Sequence, residues 1–586
     1  MAVKKPRFNL RGLLSRWDIN EHIFVSIIAV VIGVLGGYGA VLFRASIQFF
    51  QTIFYSSGRE FLEIAGQVPW YVKLLMPAVG GAVVGPVIYF WAREAKGHGV
   101  PEVMEAVAVK GGHIRARVSA AKILASAISI GCGGSVGREG PIVQIGSAVG
   151  STVGQLLKVS QDRLRTLVGC GAAAGIAATF NAPIAGVLFS VEILLGEFGV
   201  ATFSPIVLSS VMATTVSRHY FGDFPAFEVP AYEMVSAWEL FFYAGLGVIA
   251  ALVAVLFVTT LYRTEDLFDA IPIPEYVKPI LGGLIMGLFI IFLPQVFGVG
   301  YGAINEALMG QAAWYTLLAL VFAKVAATSI TIGGGMSGGI FAPSLFLGAM
   351  TGGAFGFLVN QLEPAMTASS GAYALVGMGG VVAAATHAPI TAIIIIFELT
   401  SQYTIILPLM ITCIISTLLA MALKNGNIYT IKLLRRGVAL YRGREQGILR
   451  NILVQDVMRH EVRTVRESTF LSDVIQAFQD FNISYLEVVD ENGNLSGIIS
   501  FRDIRLVLNE EQLGHLIVAK EVASSPVITV QPLEDVETAL KRMGQTGVSQ
   551  LPVVDQHNPR RVIGVIHEKD ITAAYNRGTL ALGSFG

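Results

Sequence analysis

The sequence predicts a mostly α-helical, multi-pass membrane domain with two repeats and re-entrant half-helices, followed by a smaller α/β region. Three observations carry that prediction. Of the 586 residues 53% are hydrophobic and only 14% charged, with 64 glycines and a mean hydropathy of +0.64, outside the range of soluble globular chains. Uncharged runs long enough to cross about 30 Å of hydrocarbon recur at 24–43, 74–92, 240–262, 379–397 and 405–423. Near residue 440 the composition turns to charges, polar turns and short alternating segments, and from there a unit of about 60 residues is duplicated.

Read in order, residues 1–20 carry Lys4, Lys5, Arg7, Arg11 and Arg16 with no apolar core before Ile27, so a cleavable signal peptide is not expected. Basic flanks stay in the cytoplasm. The clusters KLLRRG and YRGR after the last apolar run put the C-terminus on the same side, which implies an even number of crossings. The expected organisation is a membrane domain over 21–436, with repeats of 21–220 and 235–436, a linker over 437–449, and two copies of the α/β unit over 450–515 and 516–586. Formal net charge is zero, so no basic surface argues for nucleic acid. Cys132, Cys170 and Cys413 sit in apolar surroundings without metal-ligand spacing and read as packing residues. No metal and no obligatory cofactor is expected.

The membrane part repeats itself. SVGREGPIVQIG aligns with SGGIFAPSLFLG, placing Ser135 on Ser337, Gly137 on Gly339, Glu139 on Phe341, Pro141 on Pro343 and Gly146 on Gly348. Downstream, NAPIAGVLFSVE aligns with HAPITAIIIIFE, placing Pro183 on Pro389 and Glu192 on Glu398. Interrupted apolar segments at corresponding positions of two repeats point to a transporter's binding site. Each has glycines, then a proline, then an apolar stretch, the pattern of a helix that starts inside the membrane. Such a start leaves unpaired N–H groups at the positive end of a helix dipole, and an anion is its natural occupant. GHGVPEVMEAV, with Gly97, His98 and Gly99 before Pro101, is a third start.

Charge inside such a chain is costly, about 3 kcal/mol at the centre of a spanning helix, so Arg138 and Glu139 within GREGP point to a functional site, with an ordinary interfacial loop as the alternative. A carboxylate at one of these starts competes with the anion for its place and leaves when protonated. Arg138 either draws anions to the entrance or snorkels to water as an anchor.

These motifs resemble the CLC family of chloride channels and proton-coupled chloride transporters: GHGVPEV, GREGP and GGIFAP occur in family order, followed by the tyrosine of NGNIYTIKLL. The resemblance covers the whole length. It implies bound chloride and an anion site built by His98, Gly99, Gly137, Arg138, Glu139, Gly140, Gly339, Ile340, Phe341 and Tyr429, with Glu139 as the gate. It further implies that the amides of Ile340 and Phe341 face the central anion, that Tyr429 offers it a hydroxyl, and that the protein is a homodimer in the cell membrane with one pore per subunit. An interfacial aromatic belt is the other role open to Tyr429. The tail resembles a tandem pair of CBS domains. Its first copy has Gly497, Ile498, Ile499, Ser500 and Asp503, where that family holds a nucleotide ribose on the aspartate; the second keeps Gly564 and Asp570 but has His567 in place of Ser or Thr. An adenine nucleotide is the ligand this implies, and dimerisation and coupling without a ligand is the alternative.

Two departures from the family bear on function. His98 stands where serine is usual, so either an imidazole N–H replaces the hydroxyl on the anion or the ring turns to the backbone. Ile193 stands where proton-coupled members carry an internal glutamate, directly after Glu192, and isoleucine cannot carry a proton. The expectation is passive anion conduction gated by Glu139. The alternative is a chloride/proton antiporter using Glu192 or a water route, and the distant one is a CBS-regulated cation channel, which would need carboxylate-rich pore segments. Nothing resembles a catalytic barrel or a phosphate loop, so no enzyme is expected.

Overall fold

The computed structural model describes residues 21–57, 61–196, 198–227, 229–230, 232–436, 452–481, 483–504, 514–556 and 558–574. The basic stretch 1–20 and the linker 437–449 lie outside the described residues. The chain divides into two compact units, Met1–Leu440 and Tyr441–Gly586.

The regular elements of the first unit are helices, with no β-strand among its described residues. Its first half contains α1 (Glu21–Tyr55), α2 (Trp70–Pro86), α3 (Val100–Ala108), α4 (Arg117–Gly131), α5 (Glu139–Leu157), α6 (Gln161–Phe180), α7 (Pro183–Leu188) and α8 (Val200–Phe221). The second half contains α9 (Glu239–Ala270), α10 (Lys278–Phe292), α11 (Tyr301–Leu308), α12 (Trp314–Gly333), α13 (Phe341–Leu362), α14 (Ser370–Thr386), α15 (Pro389–Thr400), α16 (Ile406–Leu423) and α17 (Thr430–Arg435). Among the described residues, seven helices are long and apolar enough to cross a membrane.

One predicted span is corrected. Residues 379–397 form no single rod: α14 ends at Thr386, His387 turns left-handed at φ 53°, and Pro389 opens α15. The same break separates α6 from α7, with Asn181 at φ 57° and Pro183 at the next start. Averaged hydropathy misses the break at His387 because a single polar residue lies within a long apolar run. A proline costs nothing at the first helical position, where its amide has no partner to lose.

Two further signatures relate the halves. Gly137 and Gly339 exchange both hydrogen bonds, N to O at 2.7 and 2.6 Å, so equivalent residues of the two repeats pair antiparallel across a local dyad. Helices α5 and α6 touch backbone to backbone at Gly146 and Gly171, where a Cβ on either would collide with the other's carbonyl oxygen, and Gly348 and Gly377 do the same for α13 and α14. Small residues allow this approach, which supplies close packing where lipid gives no hydrophobic drive. The three cysteines are buried and unpaired, as expected.

In the second unit β1 (Thr464–Arg466), α18 (Leu471–Phe481), β2 (Tyr485–Val489) and β3 (Leu495–Ser500) form the first copy, with β1 parallel and β3 antiparallel to β2. The second copy has α19 (Val536–Thr546) and the antiparallel pair β4 (Gln550–Val554) and β5 (Val562–His567), its first strand reduced to a parallel bridge from Val530 to Val553. The copies exchange their leading segments. Val454 packs in the core of the second, and Ala519 in that of the first.

Candidate functional site

Three turns meet at the starts of α3, α5 and α13. The first follows a short turn of 3-10 helix (Arg93–Ala95) and contains Gly97 and Gly99 at φ 75° and 85°, a conformation that only glycine adopts without strain. Lys122 of α4, fully buried, donates to the carbonyls of Ala95 at 3.1 Å and Gly97 at 2.7 Å. A trans peptide points its N–H away from its C=O, so the His98 amide faces away from Lys122. Gly97 also bridges to Ser337, whose hydroxyl donates to Ala95 O at 2.7 Å. These bonds tie the first turn to the third.

The second turn joins them. A Cβ on Gly140 would collide with His98 O and lie 3.1 Å from the Cα of Gly339, so only glycine lets all three turns touch. Glu139, the first residue of α5, is 1% exposed. Its Oε2 accepts from the amide of Ala342 at 3.4 Å, at the head of α13, while Oε1 has no partner. The carboxylate therefore sits at a positive helix end, one residue beyond the Ile340 and Phe341 amides named by the sequence. Phe341 is buried, its ring 6.1 Å from that of Phe180 and 6.3 Å from that of Phe189.

His98 and Tyr429 face one another in the interior, 6.0 Å between ring centroids. Both are buried, so Tyr429 is no belt residue, and His98 Nδ1 makes no hydrogen bond to backbone or side chain. Asn427 fixes the tyrosine: its Oδ1 accepts from the amides of Tyr429 at 3.0 Å and Thr430 at 2.8 Å, and its Nδ2 donates to Thr386 O at the end of α14. The structure thus gathers His98, Gly99, Gly137, Glu139, Gly140, Gly339, Ile340 and Phe341, with Tyr429 beside His98. Arg138 turns elsewhere, its guanidinium 5.3 Å from the Tyr301 ring and 3.5 Å from Thr179 O.

Glu192 and Ile193 lie on a turn of π-helix that continues α7 (Phe189–Leu195), apart from this junction. Glu192 accepts from the amides of Ile390 at 3.3 Å and Thr391 at 2.7 Å and from the Thr391 hydroxyl at 2.5 Å. Glu398 returns the contact, accepting from Ile184 N at 3.0 Å and Ala185 N at 2.7 Å. Each repeat caps the other's half-helix. Ile193 is fully buried.

The sequence reading missed Lys122 and its repeat mate Lys324. Their signal was present: AKILASAISIG at 121–131 and AKVAATSITIG at 323–333 share the same offset as Ser135 and Ser337. It also missed the buried pair Glu102 and Lys432, 2.9 Å apart at the starts of α3 and α17.

In the second unit Ser500 and Asp503 line a cavity of about 450 Å³, but the Asp503 carboxylate accepts from the Ser500 amide at 2.8 Å and hydroxyl at 2.7 Å. Asp570 is held in a fork by Arg459 at 2.7 and 2.6 Å, which keeps its carboxyl below the usual range although burial works against it. His567 lines a different cavity, of about 790 Å³, and burial holds its imidazole below the usual value. Between the copies, Glu487 accepts from Gln550 at 2.9 Å and burial pushes its carboxyl up to about 7.

The family profile described as Voltage gated chloride channel matches residues 80–421, and the CBS domain profile matches 454–510 and 519–577. A ClcB-like protein of Ralstonia nicotianae is 36% identical over 412 residues, which cover 70% of this chain and 96% of that one. The H(+)/Cl(-) exchange transporter ClcA of Vibrio parahaemolyticus is 33% identical over 441 residues, 73% of this chain and 92% of that one. Among solved structures, a slow cyanobacterial Cl-/H+ antiporter superposes with a TM-score of 0.66 at 28% identity, over 72% of this chain and 99% of that one. A eukaryotic CLC transporter reaches a TM-score of 0.67 over 93% of this chain and 97% of that one, and at 20% identity this likeness concerns the fold.

Proposed function

Because this chain belongs to the voltage gated chloride channel family, we propose that its anion transport is conduction of chloride and related anions, opened by protonation of Glu139 and not obligatorily coupled to proton flow. The observation that carries the gate is the Glu139 carboxylate, seated on the Ala342 amide at the junction of three turns with its second oxygen unpartnered. A fixed negative group there fills the place an anion needs, and a proton on it removes the charge and weakens its hydrogen bond to the Ala342 amide. His98 and Tyr429 then border the vacated space. In this reading the protein is a homodimer with one pathway per subunit and both termini in the cytoplasm.

The absence of obligatory coupling is supported by Ile193 and by the engagement of both Glu192 oxygens at the start of α15. Coupled exchange through a water route is the second reading, favoured by relatives named H(+)/Cl(-) exchange transporters. Liposomes carrying the full chain and a chloride gradient separate the two. Chloride flux without uphill proton movement is expected, and sustained uphill pumping installs the exchanger instead.

The CBS pair is assigned to regulation, with an adenine nucleotide as the candidate ligand of the Ser500 and Asp503 cavity. Binding requires Asp503 to exchange its Ser500 bonds for ribose hydroxyls. Calorimetry of the full chain with AMP, ADP and ATP is expected to show heat with at least one; none from all three removes the nucleotide and leaves a coupling module.

A further inference from the structure

The turn that carries His98 has a repeat mate with no role assigned so far. Residues 298–307, GVGYGAINEA, match 97–106, GHGVPEVMEA, in both glycines and in the closing Glu-Ala. Both turns follow a piece of 3-10 helix, Arg93–Ala95 and Pro294–Val296. Gly298 and Gly300 have φ of 55° and 87°, in the same left-handed region as Gly97 and Gly99. Lys324 repeats the part of Lys122, donating to the carbonyls of Val296 at 3.2 Å, Gly298 at 2.9 Å and Val299 at 3.3 Å. The amides of Val299 and Gly300 share peptide planes with two of those carbonyls and so point away from the lysine.

This mate borders its own cavity, of about 290 Å³, lined by Arg44, Gln48, Arg138, Gln295, Val299 and Tyr301 among others. Neither His98, Glu139 nor Tyr429 lines it, and no acidic side chain does among the described residues. Arg44 lies inside the apolar span Ile23–Tyr55, where a charge is expensive without a function, and rests on the Phe221 ring at 4.1 Å. Arg138 Nε, Tyr301 Oη and Gln295 Oε1 are buried with no hydrogen-bond partner. Arg138 Nε is a donor and Tyr301 Oη can be one, and buried donors are costly unless something accepts from them; Gln295 Oε1, as placed, is an acceptor. The Gln295 amide turns end for end without steric change and so offers its NH₂ to the same occupant. Two guanidinium groups, a phenol hydroxyl and no carboxylate define a site for negative charge.

We infer that this cavity is a second anion site, an antechamber that holds one small inorganic anion of the halide or nitrate class between Arg44 and Arg138. Tyr301 Oη lies within its shell, and Arg138 joins it along the chain to Glu139. The inference rests on the reading of the chain as an anion pathway, and it adds a loading site that the gate does not contain.

Crystals of the full chain soaked in sodium bromide test it directly. Anomalous density is expected in the antechamber as well as beside Tyr429, and Arg44→Gln is expected to remove the first peak and keep the second. In liposomes Arg44→Gln should raise the half-saturating chloride concentration by about 3- to 10-fold, the effect of removing one nearby charge in a partly screened site, with maximal flux retained. Arg44→Lys should restore most of the affinity. Bromide beside Tyr429 with none in the antechamber overturns the proposal, as does an unchanged half-saturation in Arg44→Gln. Bromide in the antechamber with none beside Tyr429 would instead overturn the central site and leave this one standing.

Discussion

Glu139→Gln is expected to make anion flux independent of pH and to hold it, at neutral pH, at the level the native protein reaches only in acid. Glutamine keeps the size of a protonated glutamate and an oxygen for the Ala342 amide, but it carries no charge. A charge-assisted hydrogen bond contributes about 1.5–3 kcal/mol against about 1 kcal/mol for a neutral one, so the neutral side chain yields the helix end to chloride about tenfold more readily. In the native protein acidification does the same work: protons neutralise Glu139, flux rises as pH falls, and it flattens once the group is protonated. Efflux from liposomes between about pH 7.5 and about pH 3.5, a window that brackets the ordinary glutamate range near about 4.3, reads both proteins. A variant that keeps the native pH slope would place the gate on another group. A variant without flux would show that the carboxylate is needed by the pathway and does not merely block it.

That this residue was legible from sequence while others were not has a physical cause. The half-helix starts show because a glycine-rich turn followed by proline has few uses in a membrane span, and two matched motifs in the same order at almost equal spacing in two repeats seldom arise by chance. Glu139 shows because charge is rare there. Lys122 and Lys324 satisfy the same criterion, yet each lies within a helix that otherwise reads as an ordinary apolar segment, and their partners are backbone carbonyls, which leave no trace in side-chain sequence. The break at His387 escaped for a related reason. It is made by backbone dihedrals at one polar residue within a long apolar run, and averaged hydropathy is blind to them. Arg44 was passed over because it stands alone, some ninety residues before Arg138, and only the folded chain places both on one cavity. The reciprocal caps fall between these cases. Glu192 and Glu398 align from sequence, but that each reaches across to the other repeat's proline start follows only from the dyad.

Those caps yield the second large effect. Glu192→Ala strips the start of α15 of an acceptor shared by two amides and the Thr391 hydroxyl, and Glu398→Ala does the same to two amides of α7. The orphaned amides carry a desolvation cost of about 1–3 kcal/mol each, about 2–6 kcal/mol for the two amides of either variant, while the Thr391 hydroxyl turns to another acceptor. Both alanine variants are expected to melt well below the native protein in detergent, and by similar amounts, because the two sites are equivalent by symmetry. Glu192→Gln retains one acceptor oxygen, loses less, and keeps its chloride flux. The comparison also bears on proton movement. If Glu192→Ala melted like the native protein and lost proton movement alone, the carboxylate would be a proton carrier, and the exchanger would replace the uncoupled pathway. Matching losses of stability in the two alanine variants, with flux intact in Glu192→Gln, leave Glu192 a cap and Ile193 the end of any side-chain route for protons.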